Sequence, residues 1–127
     1  MNDIYREHIL DHYANPRNQG TLEDADIVAD ADNPSCGDQV RIEVALDDAG
    51  RVERVAFEGE GCIVSMASAS MFTEYVLGKS LQELEQLTDE EILENLDAPV
   101  GPRRRCALLP LQTLQAGVKA HRETAEA

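Results

Sequence analysis

The chain has 127 residues, 43% of them hydrophobic, which is enough for one domain and leaves no room for a second. Its net charge of −14 excludes nucleic acid, whose phosphates it would repel, and argues against an anionic membrane surface for the same reason. No apolar run approaches the ~18 to 20 residues needed to cross a bilayer, and the opening Met1-Asn2-Asp3-Ile4-Tyr5-Arg6-Glu7-His8 is too charged for a secretory signal, so a cytoplasmic protein is expected. Only Lys79 and Lys119 among the 11 basic residues are lysines, and the acids are spread along the chain. That pattern suits a solvated acidic surface, as in a salt-rich cytoplasm.

From the start, Ile4/Tyr5, His8/Ile9 and His12/Tyr13 recur at helical spacing until Asn15-Pro16, which predicts a short amphipathic helix. A strand is expected over Ala25–Asp30. From Asp38 the period changes to two: Val40, Ile42, Val44 and Leu46 share one face, and Gln39, Arg41 and Glu43 point to solvent. Asp47-Asp48-Ala49-Gly50 reads as a turn. Val55 and Phe57, set against Arg54, Ala56 and Glu58, then continue as the second strand of a hairpin.

Beyond Gly61 the chain reads as helical. Ile63 to Leu77 is rich in Ala, Ser and Met, and Ser80 with Glu83 and Thr88 with Glu91 are capping-box pairs that start two short helices. After Pro99, Gly101 and Pro102, the residues Leu108, Leu111, Leu114 and Val118 mark a last helix. Pro110 is acceptable there in the first turn, which puts the helix start near Cys106. The expected fold class is α+β: a small antiparallel three-stranded sheet with helices packed on it.

Three cysteines carry the chemistry, each in its own box: Asn33-Pro34-Ser35-Cys36-Gly37-Asp38, Gly59-Glu60-Gly61-Cys62-Ile63-Val64-Ser65 and Arg103-Arg104-Arg105-Cys106-Ala107-Leu108-Leu109-Pro110. Spacings of 26 and 44 residues give neither a self-contained disulfide framework nor a C-x-x-C pair. Convergence must come from the fold. A thiolate-bound zinc or iron ion generally takes four donors, and Asp38, two residues past Cys36, is the natural fourth. Cys62 and Cys106 fall at predicted helix N-termini, where the dipole and unpaired N–H groups favour a thiolate, and Arg103, Arg104 and Arg105 would add to this at Cys106. Gly37, Gly59 and Gly61 allow backbone bends beside the thiols. A lone cysteine is more often a small buried hydrophobe, but three in glycine-bounded boxes shift that balance. His8 and His12, four residues apart, fit packing or docking better than a metal site; His121 fits a solvated terminus, and Met66 and Met71 fit core filler.

The boxes, together with Tyr5, Asp11-His12-Tyr13, Asn15-Pro16-Arg17-Asn18 and Ser65-Met66-Ala67-Ser68-Ala69-Ser70-Met71, resemble the IscU/SufU/NifU N-terminal iron–sulfur scaffold family over nearly the whole chain. The resemblance implies a single SufE/NifU-like α+β domain over 1–127. It implies sulfur received from a SufS/IscS-type cysteine desulfurase, assembly of a labile 2Fe-2S cluster for apo iron–sulfur acceptor proteins, or zinc held at the same site. Cys36, Asp38, Cys62 and Cys106 are the implied ligands, Cys36 and Cys106 the candidate persulfide acceptors. The helix around Tyr5 and the surface near Cys106 resemble the desulfurase-docking region.

Arg105 stands where IscU-type members carry a histidine, and Ala98-Pro99-Val100-Gly101-Pro102 replaces the Leu-Pro-Pro-Val-Lys segment read by a dedicated chaperone. Those features resemble SufU, yet the Cys62–Cys106 gap has no room for the insertion usual in SufU. Three readings follow: cluster scaffold, zinc-dependent sulfur acceptor, and a structural-zinc interaction domain. A ferredoxin-like carrier fits less well, because full thiolate ligation would need a fourth cysteine, whereas an aspartate is a harder, weaker ligand suited to release.

Overall fold

Alternation along Val40, Ile42 and Val44 places these side chains on one face of a strand, and in the computed structural model, which describes residues 7–33, 37–97 and 100–126, that face floors the core. Strands β1 (Ile27–Asn33), β2 (Asp38–Leu46) and β3 (Val52–Glu60) form one antiparallel sheet in the order β1-β2-β3. Register pairs Asn33 with Asp38 and Ile27 with Val44 across the first pair, and Gln39 with Glu60 across the second. The Gly37 N–H donates to the Asn33 carbonyl at 2.8 Å where β1 meets β2. At the other end Asp47 Oδ1 accepts the N–H groups of Ala49 and Arg51 at 2.9 and 3.0 Å, and Gly50 takes φ +79°, which makes the expected turn.

Two sheet expectations are revised. β1 runs to Asn33 instead of ending at Asp30, because its ladder with β2 continues through Asp32 opposite Gln39. Glu43 is buried, not solvent-facing: the connection before β1 covers this part of the outer face, Leu22 N–H donates to Glu43 Oε1 at 2.8 Å, and Arg41 Nε donates to Oε2 at 2.8 Å.

Among the described residues the helices are α1 (Glu7–Ala14), α2 (Ile63–Val76), α3 (Leu81–Glu85), α4 (Asp89–Leu96) and α5 (Arg104–Glu126), the last entered from a 3-10 turn at Gly101–Arg103. Both predicted capping boxes are present, Ser80 with Glu83 on α3 and Thr88 with Glu91 on α4. α2 lacks a polar stripe, since Ser65, Ser68, Ser70 and Thr73 are buried along with Val64, Ala67, Ala69, Phe72 and Val76; it is the central helix. α5 crosses β1 so closely that a Cβ on Gly117 would lie 2.8 Å from Ala29 Cβ. α5 begins two residues before Cys106, as expected, but Pro110 is its seventh residue and not in its first turn.

Ile42, Phe57, Phe72, Leu111, Leu114 and Val118 belong to the main core between the sheet, α2 and α5. A second cluster joins Ile9 of α1 to Val64, Ala67, Leu96, Cys106 and Ala107. Burying the Ile9 side chain contributes about 1.5 to 3 kcal/mol, which ties α1 over the start of α5. Among the described residues no helix is long and apolar enough to cross a membrane.

Candidate metal centre

Three elements end at one point. Asp38 opens β2 on the inward-facing set of positions and is 1% exposed; Cys62 is the N-cap of α2; Cys106 lies in the first turn of α5 and is 6% exposed. One carboxylate oxygen of Asp38 and the sulfurs of Cys62 and Cys106 all lie within 4.8 Å of one another. Asp38 Oδ1 accepts the Cys62 N–H at 3.0 Å, and Oδ2 is 3.9 Å from Cys62 Sγ. The Ser65 N–H, an orphan donor of the first helical turn, points at Cys62 Sγ at 3.4 Å.

Gly61 makes this approach possible by its lack of a side chain. A Cβ there would stand 2.5 Å from Asp38 Oδ1 and would also collide with Ser65 Oγ. Gly59 likewise faces the Gln39 carbonyl too closely for a Cβ. Of the three glycines beside the thiols, Gly37 alone adopts a positive φ, at +74°; the other two give clearance where bends were expected.

Burial pushes the Cys62 thiol up, and the neighbouring Asp38 charge adds to that effect. Hydrogen bonds from the Ser65 N–H and hydroxyl and from the Cys106 thiol act the other way and prevail, so Cys62 titrates below the ordinary thiol range. Within the arginine box, Arg104 turns toward α4, 4.0 Å from Asp89 and 3.9 Å from Glu90.

The donor set suits a thiophilic cation. A tetrahedral ion with bonds of ~2.3 Å to sulfur and ~2.0 Å to oxygen needs ligand atoms ~3.5 to 3.8 Å apart, within a small adjustment of the spacing present. A buried carboxylate beside two thiols is a like-charge arrangement once the thiols ionise, and a cation between them converts that repulsion to attraction. Cys36, the remaining sequence candidate, lies outside the described residues, as do Tyr5, Ala98 and Pro99.

The two α1 histidines face away from this chemistry, as packing predicted. His8 Nε2 donates to the Leu96 carbonyl at 2.7 Å, and His12 Nδ1 lies 2.7 Å from Ser70 Oγ. Met66 and Met71 pack partly buried against the two clusters. An open cleft of about 540 Å3 borders the centre, with Tyr13, Pro16, Phe57, Gly61 and Met66 among its walls. Sequence reasoning quoted Ser65 and Ser68 within the family-like string but gave neither a role; the local signal was Ser65's place three residues after a residue able to cap a helix.

The sequence matches the family described as NifU-like N terminal domain over residues 4–127. It is 40% identical to the zinc-dependent sulfurtransferase SufU of Bacillus subtilis (strain 168), covering 93% of this chain and 91% of that protein in an alignment of 136 positions, longer than this chain. It is also 40% identical to the iron–sulfur cluster assembly scaffold protein IscU of Aquifex aeolicus (strain VF5), covering 94% of this chain and 76% of that protein. Among solved structures, FiSufU of Fervidobacterium islandicum AW-1, described as a scaffold for the SUF system, superposes with a TM-score of 0.75 at 30% identity over 91% of this chain and 96% of its own. The N-terminal NifU-like protein of Brucella abortus, at 24% identity and a TM-score of 0.76, shares the fold over 95% of this chain and 96% of its own.

Proposed function

Because the chain belongs to the family of NifU-like N-terminal domains, we propose that it is a single-domain iron–sulfur cluster assembly scaffold that takes sulfur from a cysteine desulfurase and passes a labile 2Fe-2S cluster to apo-proteins. The observation that carries this reading is the convergence of the Asp38, Cys62 and Cys106 donor atoms within 4.8 Å. Cys36, two residues before Asp38 in the sequence, is the proposed fourth donor. The setting is the cytoplasm, with neither nucleic acid nor membrane as partner, which the acidic composition supports.

In the sulfur-accepting step a thiolate of the scaffold attacks the outer sulfur of the desulfurase persulfide. A new S–S bond forms on the scaffold, the S–S bond on the desulfurase breaks, and the electron pair leaves with the desulfurase cysteine as thiolate. Cys36 and Cys106 are the proposed acceptors; burial of Cys106 requires its surroundings to open before a partner's sulfur reaches it. Each persulfide sulfur becomes cluster sulfide on two-electron reduction by an external electron donor, a low-potential electron carrier or excess thiol, which frees the scaffold thiolate. Iron and sulfide are cargo; thiolates bind the iron firmly and the carboxylate binds it less well, so Asp38 is where release begins.

The second reading is a zinc-dependent sulfur acceptor, favoured by Arg105 before Cys106 and by likeness to the Bacillus sulfurtransferase. Zinc, held by Cys36, Asp38, Cys62 and Cys106, would supply a closed clamp on the thiolates and no Lewis-acid activation of a substrate.

The two are separated by incubating the chain anaerobically with its own organism's cysteine desulfurase, cysteine, ferrous iron and a thiol reductant, followed by metal analysis and visible spectroscopy. Sulfide-to-iron charge-transfer bands and transfer to an apo-ferredoxin support the scaffold. Retained zinc with faster desulfurase turnover supports the sulfur acceptor, and neither result leaves a structural-zinc interaction domain.

A further inference from the structure

We propose that Ser65 and Ser68, buried on one face of α2, are positioning residues that hold the Cys62 and Cys106 thiols at metal-ligand spacing; the inference rests on the metal-centre reading above.

Each serine grips a different thiol-bearing segment. Ser65, 1% exposed, sits at the third position after the Cys62 cap, with its N–H 3.4 Å from Cys62 Sγ and its hydroxyl donating to the Cys62 carbonyl at 3.0 Å. The hydroxyl thus anchors the backbone from which Cys62 Sγ reaches toward Asp38 and Cys106, while the N–H meets the sulfur itself.

Ser68, 2% exposed, makes a bond that helix-internal serines do not ordinarily make. Such hydroxyls return to a carbonyl three or four residues back in their own helix. Ser68 instead donates across to α5, to the Ala107 carbonyl at 2.6 Å, one residue beyond Cys106. In α5 itself Pro110 has no N–H to give to the ladder at this turn, so ties from α2 matter more here for the pitch of the first turns. A spacing of three residues puts Ser65 and Ser68 on the same face of α2, so the two hydroxyls tie the Cys62 and Ala107 carbonyls, and the thiol-bearing turns around them, to one rigid body.

Groups that orient metal ligands commonly carry a tenfold to hundredfold share of affinity, on the order of 10 to 100-fold per residue. Removing either hydroxyl should act on the centre out of proportion to its effect on the fold. Ser70 supplies the control: equally buried on α2, it accepts the Arg17 N–H at 2.9 Å and contacts His12 and not the thiols.

The test is a titration of the metal-free full chain with Co2+ alone, read by thiolate-to-cobalt charge transfer and by the intensity of the ligand-field bands, alongside thermal melting. Ser65→Ala and Ser68→Ala are expected to weaken Co2+ binding about tenfold or more and to dim the tetrahedral bands. Ser68→Thr, which keeps the hydroxyl, is expected to restore most of the affinity, and Ser70→Ala to lower the melting temperature with Co2+ binding kept. Wild-type affinity in both alanine variants overturns the proposal, as does a loss in Ser70→Ala equal to theirs. Failure of the unmutated chain to bind Co2+ overturns the metal centre itself, and this inference with it.

Discussion

Asp38 Oδ1 accepts the Cys62 backbone N–H at 3.0 Å while the other oxygen of the same carboxylate stands 3.9 Å from the Cys62 sulfur. One side chain thus both seats the cap of α2 and offers a donor to the centre. The two roles separate by substitution. Asp38→Asn keeps an oxygen for the N–H and loses the anion; Asp38→Ala loses both. The alanine variant should be less stable by about 1 to 3 kcal/mol, the cost of a buried donor left without its partner, and the asparagine variant by less. Both should slow transfer of a reconstituted cluster to an apo-acceptor if the carboxylate is the labile ligand. Wild-type transfer rates in both would remove Asp38 from that role.

Gly61 tests the same contact from the opposite side. A methyl group there would sit 2.5 Å from Asp38 Oδ1 and press on Ser65, so Gly61→Ala must displace the carboxylate or bend the entry to α2. A loss of about 1 to 3 kcal/mol is expected, as for overpacking elsewhere, with weakened metal binding. Gly78→Ala is the comparison: its φ of +83° makes any side chain strained, yet open space surrounds it far from the thiols. It should destabilise the chain and leave metal binding alone. Equal loss of binding in the two variants would show that Gly61 matters through global stability only.

The elements with strong local signals were legible before the fold was known. Alternation located β2 and β3, and the two capping boxes located the starts of α3 and α4, because those signals come from neighbours along the chain. The discrepancies come from contacts between distant segments. Ala31, Asp32 and Asn33 are poor strand formers, and β1 includes them only because β2 provides the ladder. Glu43 has the alternation of a solvent-facing residue, but the segment around Leu22 folds over it. Pro110 falls in the second turn of α5 and not the first, because the helix starts at Arg104, directly after the 3-10 turn at Gly101–Arg103. At the centre, Asp38, Cys62 and Cys106, singled out from their boxes, come together in the fold. That Gly61 serves clearance and that Ser68 reaches across to α5 could not be read from the boxes, since both depend on which helix lies opposite.

Reactivity of Cys62 follows from its cap position. Its thiol titrates below the ordinary range because the Ser65 and Cys106 hydrogen bonds outweigh burial, so the thiolate fraction near neutral pH is raised. Alkylation of metal-free protein by iodoacetamide, followed residue by residue by mass spectrometry, should give Cys62 a midpoint below pH ~8.5. Cys106, buried, should react more slowly at every pH. A midpoint for Cys62 at or above that of an unfolded thiol would mean that burial and the Asp38 charge dominate after all.

His12 makes the docking of α1 sensitive to acid. Ser70 Oγ accepts the Arg17 N–H at 2.9 Å and lies 2.7 Å from His12 Nδ1, while His12 Nε2 faces Glu74 at 3.7 Å. Burial is the main reason that His12 titrates below the ordinary histidine range; Arg17 and His8 add to it, and Glu74 and Asp11 oppose it. With a folded value below the unfolded one, the unfolded chain takes up the proton first as pH falls. The stability that His12 contributes is therefore full above pH ~6.5 and lost progressively below it. The carboxylates held low by their partners, Asp11, Glu43 and Glu83, lose theirs in a lower window, below pH ~4.5. Melting temperatures between pH 8 and pH 5 should therefore fall more steeply in the wild type than in His12→Gln, which starts lower for want of the ring but has no imidazole to titrate at this contact. Parallel declines in the two proteins would place the acid sensitivity elsewhere than at the contact between α1 and α2.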